Sequence, residues 1–225
     1  MVAVQINFKE FFIMKLFDPA LALDSLPTIL SGLPLSLFLL AVCFFLANIS
    51  GIFIMLLRIS HNRLFSLFAR FYISFFRGVP VLVVLFLTYF GANMDAIPAA
   101  ILSLTLVSSA FVAEYYRSAL IGINETQSDA ARALGLSKFA AMRYVILPQA
   151  FRIALPALGN VLLDMFKGTS LAAMITVSEI FMKAKITAGA SQDYMTIYIV
   201  IAIIYWLVCC GLSFLEQLAE RYFHY

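Results

Sequence analysis

Asn160, Asp164 and Lys167 recur at intervals of four and three residues inside an otherwise apolar stretch, and with Leu171 four further on they share one face of a helix. Ionised side chains against hydrocarbon are costly, so such a stripe must look toward a bundle interior or a cavity. Two uses are open to it. Asp164 and Lys167, three apart, can neutralise one another and fix helix packing. Alternatively, the Lys167 ammonium and the hydroxyls of Thr169 and Ser170 offer donors, and the carboxylates of Asp164 and Glu179 offer acceptors, to a polar solute. Glu114 and Arg117 repeat the three-residue spacing near the end of another apolar run, where snorkelling is easy, and a structural or gating pair is the favoured reading. Arg77 lies near the start of an apolar run. It is suited first to anchoring a lipid phosphate or bracing a helix, and second to a role in a translocation path.

Covalent chemistry finds no constellation here. There is no G-x-x-x-x-G-K-[ST] phosphate cradle, and Lys167-Gly168-Thr169-Ser170 has similar letters in the wrong order. His61 and His224 are the only histidines, so an H-E-x-x-H zinc site is impossible, and no thiol or carboxylate cluster replaces it. Asp164 is the only aspartate deep in an apolar segment, which argues against a two-aspartate protease. Cys43, Cys209 and Cys210 lie within apolar runs and read as buried small hydrophobes. The chain is expected to be no enzyme, with no metal and no cofactor of its own.

The elements that must position these residues are membrane helices. The 225 residues are 64% hydrophobic and 12% charged, with a mean hydropathy of +1.00, far from the roughly 25% charged residues of a soluble domain. Spans are expected at 25–57, 71–94, 96–118, 153–181 and 194–215, each set against the ~20 residues that cross hydrocarbon. These runs lack the alternation of barrel strands, so the fold class is all-α, a bundle of about five helices. Arg58, Arg63, Arg70, Arg77, Arg117, Arg132, Lys138, Arg143, Arg152 and Arg221 fall to one side, against Lys9, Lys15, Lys183 and Lys185 on the other. The positive-inside rule then puts the C-terminus in the cytoplasm and the N-terminus outside. Residues 1–24 do not read as a cleaved signal, because Lys9, Glu10, Lys15 and Asp18 interrupt any apolar core. Phe8, Phe11, Phe12 and Leu16 instead fit an interfacial helix. The net charge of +3 follows from the cytoplasmic bias and implies no nucleic acid.

Between the third and fourth spans, 121–151 forms a charged, helix-forming island. Ser128 can cap a helix from Asp129 to Leu134, Gly135 supplies a reversal, Ser137 can cap a second helix, and Pro148 limits it. Ala130, Ala133, Leu134, Phe139 and Met142 give this polar element apolar knobs, which implies a protein partner.

The island resembles the EAA loop of permease subunits of bacterial ATP-binding-cassette importers, patterned E-A-A, three residues, G, nine residues, I, one residue, L-P. Asp129-Ala130-Ala131, Gly135 and Val145-Ile146-Leu147-Pro148 carry the match with its spacing intact. Phe76-Arg77-Gly78-Val79-Pro80, Ala113-Glu114-Tyr115-Tyr116-Arg117, Pro148-Gln149-Ala150, Asn160 and Lys167-Gly168-Thr169-Ser170-Leu171 extend it over about four fifths of the chain, toward the polar amino acid (histidine/glutamine permease) type. Asp129 replaces the usual glutamate, Thr126 a common glycine, and Gly168 a common aspartate.

The resemblance implies a type I importer permease bundle, a multi-pass subunit of the bacterial cytoplasmic membrane. It implies partners: ATPase subunits that bind ATP and Mg, an extracytoplasmic amino-acid-binding protein, and a second permease copy or paralogue. Asp129, Ala130, Ala131, Arg132, Gly135 and Pro148 would then couple to the ATPase. Asn160, Asp164, Lys167, Thr169, Ser170 and Glu179 would form the substrate path, an amino acid presenting its carboxylate to Lys167, Thr169 and Ser170 and its ammonium to Asp164 or Glu179. The alternative from a different class is a secondary transporter or channel driven by an ion gradient, with Asp164, Lys167 and Glu179 as its relay.

Overall fold

The computed structural model describes residues 17–223. The expected interfacial helix over the first 24 residues therefore lies mostly outside the described residues. Residues 19–24 belong to a first helix, α1 (Pro19–Leu30), which Asp18 caps by accepting from the amides of Ala20 and Leu21. The chain continues as α2 (Leu33–Ile59), α3 (Arg63–Gly78), α4 (Val81–Phe86, prolonged by a wide π-turn at Leu87–Gly91) and α5 (Ala96–Ile121). The island holds α6 (Glu125–Ala133) and α7 (Lys138–Ala141). A second π-turn, Met142–Ile146, leads into α8 (Leu147–Gly168), a 3₁₀ segment Thr169–Ile175, α9 (Ile180–Ser191) and α10 (Tyr194–Phe223). Among the described residues, four helices are long and apolar enough to cross a membrane, and the bent pair α3–α4 makes a fifth.

Several expected boundaries shift, each for a local reason. The run 25–57 is two helices, because Pro34 in the first turn of α2 cannot donate a ladder bond back to Leu30, and at the break Gly32 passes so close to α9 that an added Cβ would stand 2.6 Å from the Ile180 amide nitrogen. The span at 71–94 is bent by 103° where Pro80 forces Val79 into extended backbone. Pro148 does not end a helix. It opens α8, and the wide turn before it absorbs the ladder bond that a proline cannot donate. The span expected at 153–181 instead begins at Lys138 and ends at Ile175, after which Thr176 turns left-handed with φ 68°. The last helix runs to Phe223, beyond the expected 215.

Close packing sets the bundle. α2 and α5 run parallel: Cys43 Sγ lies 3.8 Å from the Ile101 carbonyl, and a Cβ on Gly51 would stand 2.6 Å from Val112 Cγ1. Ala47, Ala110 and Ala113 are fully buried beside them. Small residues let helix backbones approach where lipid provides no hydrophobic drive for association. α3 docks through Tyr72, whose hydroxyl donates to the Leu106 carbonyl at 3.1 Å and meets Ser109 Oγ at 2.8 Å. α1, α9 and α10 bury Ile29, Ile180, Ala184 and Ile197 together, and the Asp18 amide donates to Thr196 Oγ1 at 2.8 Å. The ends of α2 and α5 and the start of α8 thus share one end of the bundle with the island. The α1–α2 break and α9 mark the opposite end.

Candidate functional site

The island folds into two capped helices. Asn124, not Ser128, caps its first helix, accepting from the Thr126 amide at 3.0 Å and the Thr126 hydroxyl at 2.9 Å. Glu125 complements the dipole in the first turn. α6 then closes in a Schellman pattern: the Leu136 amide donates to Ala131 O at 3.1 Å and the Gly135 amide to Arg132 O at 2.9 Å. Gly135 sits at φ +83°, so the expected reversal is present and favours glycine. Ser137 caps α7 as expected, accepting from the Ala140 amide at 3.2 Å. Leu134 is 84% exposed and Phe139 78%, and Asp129, Ala130, Arg132 and Pro148 are exposed as well. Ala131 is buried against its own chain and does not face outward.

The polar stripe on α8 separates into members that face out and members that do not. Lys167 Nζ donates to Asp164 Oδ1 at 2.8 Å, and both side chains are largely exposed on the flank of the chain. Two hollows flank the pair. Asp164, Phe111, Tyr115 and Gly168 line one of about 150 Å³. Lys167, Ser170, Phe181, Tyr198 and Tyr205 line the other, of about 340 Å³. Asn160 is exposed but back-bonds to the Pro156 carbonyl at 3.2 Å. Thr169 is fully buried with its hydroxyl on the Phe166 carbonyl, and the Ser170 hydroxyl donates to Lys167 O at 2.7 Å.

Glu179 corrects the expectation most clearly. It is fully buried and caps α9, accepting from the amides of Phe181 at 2.9 Å and Met182 at 2.7 Å. Ser36 Oγ donates to it at 3.2 Å and the Tyr205 hydroxyl at 3.4 Å. A carboxylate so fully engaged has no face left for a solute. The capping signal was present in the sequence, as an acidic residue placed just before the run that starts at Ile180, but its place inside an apolar segment hid it.

Glu114 and Arg117 do pair: Arg117 Nε donates to Glu114 Oε1 at 3.0 Å, with Nη2 on the same oxygen. Arg58 and Arg77 are further electrostatic neighbours of Glu114. Arg77 lies with its guanidinium carbon 5.3 Å from the Phe111 ring centroid, a contact between α3 and α5. Phe111 also lines the hollow beside Asp164, which ties that contact to the stripe. Tyr115 and Tyr205 line the two hollows; Tyr115 belongs to a stretch that carries the family resemblance, whereas Tyr205 carried no sequence signal beyond its aromatic type.

The sequence pattern described as "Binding-protein-dependent transport system inner membrane component" matches residues 47–224. The chain is 44% identical over 216 residues to the probable amino-acid ABC transporter permease protein YckA of Bacillus subtilis (strain 168), covering 93% of this chain and 96% of that protein. It is 31% identical over 219 residues to the L-cystine transport system permease protein TcyL of the same organism, covering 92% of each. Its fold matches a chain of the crystal structure of an amino acid ABC transporter with histidines at a TM-score of 0.82 and 36% identity, covering 88% of this chain and 95% of that one. The MetNI methionine ABC transporter in an inward-facing conformation shares the fold at a TM-score of 0.66 and 17% identity.

Proposed function

Because this chain belongs to the family of inner membrane components of binding-protein-dependent transport systems, we propose that α6 and α7 receive the stroke of a separate ATPase and pass it to the stripe on α8. The chain is the transmembrane permease subunit of an ATP-driven amino acid importer. The observation that carries the coupling assignment is the exposure of Leu134 and Phe139 on helices held by their own caps. Exposed apolar side chains on an ordered, otherwise polar element gain most by entering a partner's groove. Asp129 is exposed as well, where it can meet a basic group of the ATPase, while Ala131 is buried against its own chain.

Rigid-body closure of the ATPases over nucleotide would drive the coupling. α6–α7 continues through the π-turn into α8, so displacing the projection tilts the helix that bears Asp164 and Lys167. This reading makes the chain non-catalytic, leaves ATP and Mg to the ATPase, and puts the island end in the cytoplasm of a bacterium. A second permease copy or paralogue covers the exposed stripe, and an amino-acid-binding protein delivers solute at the end that carries α9. Asp164 and Lys167 present opposite charges to the ammonium and carboxylate of the amino acid. Thr169 and Glu179 support the path from behind, without touching solute.

The test is co-purification of Leu134→Ser/Phe139→Ser with the ATPase, since both side chains are exposed and their loss leaves the fold standing. The expected result is loss of the ATPase from the complex and of binding-protein-stimulated ATP hydrolysis. Normal retention of the ATPase would remove the coupling assignment.

A further inference from the structure

α3 presents three stripes to three surroundings. Ala69 and Ile73 are buried against α2 and α5. Leu64, Phe68, Phe71 and Phe75, at intervals of four, three and four, form an exposed apolar stripe. Arg63, Arg70 and Arg77, seven apart, form a basic stripe on a different face. At the island end this basic stripe runs into the α2–α3 turn. There Ser60, His61, Arg63, Ser66, Leu67 and Arg70 line a surface hollow of about 400 Å³.

The turn under the hollow is built, not loose. Asn62 Oδ1 accepts from the Leu64 amide at 2.9 Å, Ser60 Oγ from the Asn62 amide at 3.2 Å, and the Ser66 hydroxyl donates to the Arg58 carbonyl at 3.2 Å. No carboxylate lines the hollow, and the sequence holds no Asp or Glu between Asp24 and Asp95. The nearby Glu114 is already bonded to Arg117. Among the described residues, Arg63 and Arg70 form no ion pair, and they stand beside Leu67, which lines the hollow and lies next to the aromatic stripe.

A ligand that satisfies both surfaces must be anionic at one end and apolar at the other. A soluble anion would leave Leu64, Phe68 and Phe71 uncovered, and a zwitterionic lipid brings no net charge to two arginines. We propose that the α2–α3 turn and the first half of α3 bind an anionic phospholipid. Its phosphate takes the guanidinium forks of Arg63 and Arg70, and its acyl chains lie along Leu67 and the Leu64–Phe71 stripe. The lipid would thereby hold the first limb of the bent pair against the membrane surface, at the end of the bundle from which α6 and α7 project.

The experiment titrates a short-chain fluorescent phosphatidylglycerol into the assembled transporter in detergent. Saturable binding is expected. It should weaken roughly 25-fold in Arg63→Gln/Arg70→Gln, about fivefold for each basic side chain near a membrane surface. Arg221→Gln, with the same kind of charge loss elsewhere, should leave it unchanged. On the unaltered complex, unlabelled phosphatidylglycerol should compete, while phosphatidylcholine and inorganic phosphate should not. Equal competition by phosphatidylcholine removes the anionic requirement, and displacement by inorganic phosphate makes this a site for the free ion; either overturns the proposal. So does the absence of saturable binding, which is the outcome if a second permease copy covers the stripe. Because the competition arm uses the unaltered protein, the proposal stays exposed to refutation even if the double variant fails to assemble.

Discussion

Asp164 and Glu179 are carboxylates fifteen residues apart in one apolar segment, and the fold puts them to opposite uses. Asp164 stands on the flank of α8, paired with Lys167 and largely exposed. Glu179 is fully buried and bonded to two backbone amides and two hydroxyls. The difference lies in what surrounds each group. Asp164 sits near the C-terminal end of α8, where the backbone has no orphan donors to offer it. Glu179 follows a break in the chain, where the next helix exposes its first amides and a carboxylate is their natural acceptor. A charge in an apolar segment is thus a site only if the backbone does not already claim it.

Breaking the buried member should have the largest effect. Glu179→Ala removes a fully buried cap and orphans the partly buried amides of Phe181 and Met182, at a cost of about 2–5 kcal/mol. A thermal-unfolding scan of the purified complex should show a large drop in midpoint, with transport lost alongside stability. An unchanged midpoint would make Glu179 a solute ligand after all.

The floor of the same region gives the next effect. In Gly32→Ala the new methyl meets the Ile180 and Glu179 backbone at 2.6 and 2.7 Å, and backbone cannot rotate away. Overpacking of this kind costs about 1–3 kcal/mol. Limited proteolysis should then cut the α1–α2 and α9–α10 connections sooner than in the unaltered chain. Identical digestion would show that α9 shifts freely and that the cap does not anchor it.

At the opposite end, Gly135→Ala sharpens the contrast between regions. A Cβ there meets nothing within 4 Å, and only the φ of +83° resists it, worth about 1 kcal/mol. Stability should fall little, whereas binding-protein-stimulated ATP hydrolysis should fall several-fold, because the projection loses its set angle. Equal losses in both readings would reduce the island to a structural element.

These regions also differ in how far the sequence revealed them. The α-helical bundle, the reversal at Gly135, the Ser137 cap and the outward apolar knobs were legible, because each depends on a few adjacent residues. The close approach of Gly32 to α9 was not, because it depends on a helix distant in the chain, and the burial of Ala131 depends on how α6 folds back on its own chain. The capping role of Glu179 was missed although its signal is local, because it lies inside an apolar segment. Asn124 was missed although its capping signal is local, since Ser128 offered a competing one. The continuity of α7 into α8 was hidden for another reason: a wide turn made Pro148 compatible with the helix it was expected to end.

The smallest effect on stability, and the sharpest on function, belongs to the exposed member of the comparison. Lys167→Ala removes one partner of a pair whose side chains are 58% and 76% exposed, and pairs of that kind contribute about 0–1 kcal/mol. The unfolding midpoint should therefore move by no more than about 2–4 °C, the shift that about 1 kcal/mol produces in a domain of this size. ATPase retention should be untouched, because the island lies at the far end of α8. Uptake of the amino acid into proteoliposomes should nonetheless fall, with a raised apparent KM, since the site loses the cation that meets a carboxylate and Asp164 is left with an unbalanced charge facing the path. Lys167→Arg, which keeps the charge at a different reach, should recover part of that uptake. If Lys167→Ala transports as the unaltered chain does while Glu179→Ala unfolds, the α8 pair is a packing device. Both carboxylates of the segment would then be structural, one held by backbone amides and the other by its own lysine.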